Sequence, residues 1–81
     1  MLEIGSVYKW EYAHYNFCKI PYNSGMYFMK RGTILTVLNC YKVPDDRSSA
    51  SREWVFKCLI GEQILTLCGG REDFIGFRKI C

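Results

Sequence analysis

The side chains able to do chemistry in this chain are few, and their spacing is poor for it. Five cysteines (Cys18, Cys40, Cys58, Cys68 and Cys81) are its thiols and His14 is its single imidazole. A cysteine and a histidine can act as nucleophile and base only when a third group orients the imidazole, and a lone histidine in a tyrosine-rich stretch reads as a surface or packing residue. No C-x-x-C pair occurs, so the spacing supplies no recognisable zinc set. Glu72 and Asp73 are adjacent carboxylates, which on a helical turn point in different directions and do not bracket a substrate. Gly69-Gly70-Arg71 lacks the lysine and the spacing of a phosphate loop; its glycines suit a tight exit from a strand. These residues point away from catalysis, and no cofactor or metal is expected.

Binding chemistry is better represented. Tyr8, Trp10, Tyr12, Tyr15, Phe17, Tyr22, Tyr27 and Phe28 are eight of the chain's thirteen aromatic residues. A small domain cannot bury all of them, and exposed tyrosine and tryptophan are frequent anchors of interfaces. The expected partner-binding set is Tyr8, Tyr12, Tyr15, Tyr22, Tyr27 and Trp54, with Arg47 and Arg52 at the rim. A second set, Lys9, Lys19, Lys30, Arg31, Arg78 and Lys79, is interleaved with the same rings. It suggests an alternative, nucleic-acid binding, in which cations take phosphates while rings stack on bases. Against that stand a net charge of only +3 and acids spread throughout the sequence.

The elements that must position these residues read as strands. The stretch REWVFKCLIGEQILTLCGG, residues 52 to 70, predicts a β-hairpin turning at Gly61-Glu62. That register pairs Ile60 with Gln63, Cys58 with Leu65, Phe56 with Leu67 and Trp54 with Gly69, placing Trp54, Phe56, Cys58, Ile60, Leu65 and Leu67 on a core face. It also sets Cys58 and Cys68 on opposite faces. Residues 4 to 13 alternate as a strand with Tyr8, Trp10 and Tyr12 on one side. Residues 14 to 27 predict a long ordered loop or a ragged hairpin with its tip at 22 to 25. A second strand over 33 to 43 is partly apolar on both faces, a polar surface loop covers 43 to 52, and a helical turn with Asp73 near its start precedes a short last strand.

The stretches SVYKWEYA, FMKRGTILTVL, EWVFKCLIGEQILTL and FIGFRKI, taken in order, resemble an SH3-like β-barrel. The resemblance implies one all-β domain over residues 1–81: a small barrel of about five strands with a long aromatic loop and one short helical turn near the C-terminus. Tyr8, Tyr12 and Trp54 match the aromatic platform on which signalling SH3 domains seat proline-rich peptides. Residues 14 to 29 lack the acidic cluster of those domains, however, and LCGGREDF has no Pro-x-x-Tyr, so proline-rich ligands are not expected. In gene style the chain is similar to small viral or phage accessory proteins, which implies a non-enzymatic interaction module that inhibits or redirects a host protein. Neither a signal peptide in MLEIGSVYKW nor a run of eighteen apolar residues is present, so a cytoplasmic protein without a membrane partner is expected. A homodimer formed through an open strand edge is a further expectation.

Overall fold

The computed structural model describes residues 2–43, 54–70 and 72–81; Arg47, Arg52 and the polar loop lie outside the described residues. Its centre is the hairpin of β5 (Trp54–Ile60) and β6 (Gln63–Gly69). Gly61 takes φ +60° while no non-glycine residue among those described has positive φ, which is the requirement of a turn opened by glycine. All four predicted pairs, Ile60 with Gln63 through Trp54 with Gly69, are present in this register. Phe56, Cys58 and Leu67 are fully buried on the predicted face, with Trp54, Ile60 and Leu65 packed at its margin.

The remaining strands are β1 (Val7–Trp10), β2 (Tyr15–Lys19), β3 (Met26–Met29), β4 (Ile34–Lys42) and β7 (Phe77–Lys79). Two 3-10 turns, Tyr22–Ser24 and Asp73–Gly76, join β2 to β3 and β6 to β7. The expected count of about five strands is corrected to seven among the described residues. The two extra strands come from the aromatic stretch after residue 14, which forms the β2–β3 hairpin with its tip where expected. All pairings are antiparallel and give one sheet of order β3-β2-β6-β5-β4-β1-β7.

This sheet curls into a half-barrel, and β4 shows how. Leu35 and Val37 face the core, the register then slips between Val37 and Asn39, and beyond the slip Cys40 packs inward while Leu38 is exposed. An extra residue in one strand bends it and raises its twist, so a single strand serves two parts of the curl. The expectation of two apolar faces on this strand is therefore a record of one face interrupted by a bulge.

Aromatic rings fill the curl. Phe17 on β2 and Phe77 on β7 belong to strands far apart in the sheet order, yet their rings stack 5.9 Å apart. Trp10 lies between them, 5.4 Å from Phe17 and 4.8 Å from Phe77, and Phe56 stands across the core 5.7 Å from Phe17. Each such buried side chain contributes roughly 1.5–3 kcal/mol of transfer free energy. Gly76 meets the face of Trp10 so closely that a β-carbon there would overlap the indole.

Candidate binding cleft

Trp10 is buried, and its Nε1 donates to the Ala13 carbonyl oxygen at 2.9 Å. That bond holds the chain leaving β1 in a bend over the indole, so Tyr12 and Tyr15 are set around it with centroids 5.8 and 6.1 Å away. Both tyrosines are exposed. They line an open cleft of about 570 Å³ whose other walls are Glu11, Ala13, His14, Arg31, Glu72 and Asp73. Beyond His14 the aromatic surface continues to exposed Phe28, whose ring centroid is 5.0 Å from the imidazole.

The cleft has a charge at each end. At the Tyr12 end the Arg31 guanidinium donates from Nε to the Tyr12 carbonyl oxygen at 3.4 Å, a long bond that leaves its other donors outward. At the Tyr15 end stands the 3-10 turn. Its Asp73 accepts the Gly70 N–H through Oδ2 at 2.8 Å and fixes the exit from β6. Burial, helped by the hydrogen bond and negative charge of Asp73, pushes the Tyr15 hydroxyl above its ordinary value and keeps it a neutral donor. Glu72, beside Asp73, is exposed. The pair thus divides into one anchored and one solvent-facing carboxylate. His14 and Cys18, four residues apart, are separated by about 13 Å of extended chain and cannot share an ion. Among the described residues no group of three or more metal-ligating side chains comes together.

The expected partner-binding set is divided by the structure. Tyr12 and Tyr15 are in the cleft. Tyr8 is a core residue, only 6% exposed, with its hydroxyl accepting the Glu3 N–H at 2.9 Å; the strand face it shares with Trp10 is the buried one. Tyr27 is half-buried against the core opposite Phe17, and half-buried Trp54 packs beside Phe74 at 6.4 Å, outside the cleft. Tyr22 lies in the 3-10 turn at the hairpin tip. Three contributors lie outside the expected partner-binding set: Trp10 as floor, Asp73 as end wall, and exposed Phe28, which touches the cleft through His14. Phe28 was legible within the aromatic run, whereas Asp73 reaches the cleft only through the chain's return.

The six basic residues are not brought onto one surface. Arg78 pairs with Glu11 and Lys79 with Glu3 at 2.7 Å. Those contacts hold both carboxyl groups below the usual carboxylate range and raise Lys79. Lys9 lies directly across from Arg78, and Arg31 is near enough to help lower Glu11, so three cations surround one carboxylate there. Lys19, at the tip end of the β2–β3 hairpin, is about 17 Å along the strand from the register position of Lys30.

Compared with known proteins, the chain matches no family model, no curated protein and no solved structure. No helix among the described residues is long and apolar enough to cross a membrane.

Proposed function

We propose that the protein is a non-enzymatic interaction module, an SH3-like barrel that docks a segment of a partner protein in the cleft between Tyr12 and Tyr15. The observation that carries this reading is the pair of exposed tyrosines braced on a buried tryptophan, with a cation at one end and carboxylates at the other. Rigid rings with polar tips lose little side-chain entropy on binding, and opposite charges at the two ends favour one direction of the bound segment. The SH3-like reading is supported by the element order: a strand, an aromatic hairpin, three long antiparallel strands, a 3-10 turn and a last strand returning to the first. The fold class alone does not imply the activity, so the reading rests on the chemistry of the cleft.

The experiment is a capture of partners from lysate, with and without nuclease, using the wild-type chain and a Tyr12→Ser/Phe28→Ser variant. Both side chains are at the surface, so the variant is expected to keep the wild-type near-ultraviolet circular dichroism and Tm. A stoichiometric protein that survives nuclease and is lost with the variant supports the reading. Equal retention by the variant refutes it. A catch consisting only of nucleic acid, weakened steeply by salt and by Lys9→Gln/Arg31→Gln, replaces it with the alternative.

A further inference from the structure

The β2–β6 junction sets two cysteines directly opposite each other. Cys18 and Cys68 are register partners, and the next pair is Lys19 with Leu67. Two positions beyond, in the same register, the Ile20 N–H donates to the Thr66 carbonyl oxygen at 2.9 Å. Antiparallel ladders alternate with period two, so Cys18 and Cys68 form a pair of the hydrogen-bonded kind, with Cα atoms about 5.5 Å apart. That separation lies inside the Cα range a disulfide spans, and side chains of directly opposed residues leave the sheet on the same face; a hydrogen-bonded pair holds its Cβ atoms about 5.5 Å apart, so the two strands must close locally by about 1 Å as the bond forms. No other two cysteines share this relation. Cys58 is opposite Leu65 on the core face, Cys40 is opposite Phe56, and Cys81 lies beside Val7.

We propose that Cys18 and Cys68 are a reversible redox site, a vicinal dithiol across two strands that a hydroperoxide or glutathione disulfide converts to an intramolecular disulfide. All five cysteines are thiols in this structure, which is therefore the reduced form. Access assigns the order of events. Cys18 is half-buried with its Sγ turned to the Lys19 carbonyl oxygen at 3.6 Å, whereas Cys68 is 3% exposed. The Cys18 thiolate attacks one peroxide oxygen, the O–O bond breaks, and the products are a sulfenic acid and, after proton transfer, water. Cys68 sulfur then attacks the sulfenic sulfur, an S–S bond replaces the S–O bond, and the hydroxyl leaves with the Cys68 proton as a second water. Two thiols lose two protons and two electrons, and one hydrogen peroxide is reduced to two waters; an organic hydroperoxide gives one alcohol and one water. With glutathione disulfide the same two electrons release two glutathione thiols through a mixed disulfide on Cys18.

The bond has a place to act. β2 is joined to β6 over a short stretch, two register pairs and the Ile20–Thr66 hydrogen bond, and the hairpin it begins carries Tyr15, Met26 and Phe28. A covalent link at Cys18 fixes that hairpin to the central strands, so oxidation restricts the aromatic surface without reshaping the core. This assignment is independent of the proposed partner binding, since it is read from the chemistry of the purified chain.

The test treats the full chain with hydrogen peroxide, alkylates remaining thiols and digests with trypsin and a glutamate-specific protease. Cleavage after Glu11, Lys19, Glu62 and Arg71 releases residues 12–19 and 63–71, separating Cys18 and Cys68 from Cys58. The expected result is one cross-linked species joining these two peptides, with the thiol count reduced by two from five and restored by dithiothreitol. Cys18→Ser abolishes the cross-link, and slower amide exchange is expected in β2 of the oxidised wild type. Cys68→Ala serves as the second variant, expected to trap the sulfenic acid on Cys18. A cross-link through Cys40, Cys58 or Cys81 overturns the assignment. So does a lasting modification of Cys18 with Cys68 still reduced, or no loss of thiols at peroxide levels that oxidise free cysteine.

Discussion

Replacing Gly76 by alanine tests the aromatic packing on which the cleft rests. Gly76 is buried at the end of the second 3-10 turn, and its carbonyl oxygen accepts the N–H of Glu11, the residue after β1, at 2.8 Å. A β-carbon there would lie against Cζ3 of Trp10 and 2.6 Å from Cη2. To restore ordinary van der Waals contact the indole edge must retreat by about 1 Å. Movement of the indole is resisted by its packing against Phe17 and Phe77, and it strains the Nε1 bond to Ala13. Overpacking of this kind costs roughly 1–3 kcal/mol, and a weakened buried hydrogen bond adds about 1. Gly76 is not in the left-handed region, so alanine gains about 0.4–1 kcal/mol by restricting the unfolded chain. The net expectation is a loss of about 1–3.5 kcal/mol, read by urea unfolding followed by tryptophan fluorescence and near-ultraviolet circular dichroism. Trp10→Phe should partly relieve the cost, giving a favourable coupling in the double-mutant cycle. An alanine variant as stable as wild type, with an unchanged aromatic spectrum, would refute the proposed wedge of Trp10 against the turn.

Three further outcomes follow from the titrating groups. Burial pushes the Cys58 thiol up to about 12, so its contribution is intact below the unfolded value near 9 and is lost as pH rises toward 12. The wild type should therefore lose up to about 1.4 kcal/mol per pH unit relative to Cys58→Ala across that window, and parallel profiles would show the thiol is not so buried. Asp73→Asn keeps an acceptor for the Gly70 N–H but removes the charge beside Tyr15; ultraviolet titration should show the Tyr15 hydroxyl falling part of the way to its ordinary value, with the burial effect remaining. Glu11→Gln breaks the exposed pair with Arg78; its stabilisation exists only above the lowered carboxyl value, is screened by salt, and should leave Tm at neutral pH and physiological salt unchanged within error.

How much of this was legible differs from one element to the next. The β5–β6 register could be read to the residue because a glycine turn fixes the pairing and a one-residue slip would bury Lys57. The β2–β3 hairpin was harder to see. Only Phe17 and Met29 of its nine residues are fully buried, so its alternation is weak, and turn-forming residues at 21 to 25 dominate the local pattern. In β4 the bulge after Val37 shifts the alternation, and a period-two reading cannot reveal a shift within the strand it assumes. For the cleft, Tyr15 was named from aromatic density alone, and Tyr12 from density together with its place in the SH3-like pattern. Tyr8 was misplaced because density does not say which strand face is inward. Bringing Asp73 to Tyr15 depends on the pairing of β2 with β6, at whose exit Asp73 is held, and closing the cleft around Trp10 depends on the return of β7 to β1; both are contacts between residues far apart in sequence that no local spacing encodes.

That return also sets how the molecule responds to force. In the β1–β7 pair, Tyr8 stands opposite Lys79 and Trp10 opposite Phe77, so the outer ends of both strands emerge on the same side. Tension applied at residues 2 and 81 loads this antiparallel pair as a zipper, one rung at a time, rather than in shear across all rungs together. The first rungs to open bind Val7 to Ile80 and Cys81. Pulled from its flanks, the domain should therefore yield at low force, peeling β7 and then withdrawing Phe77 from Trp10, so that the floor of the cleft is lost before the β5–β6 hairpin is touched.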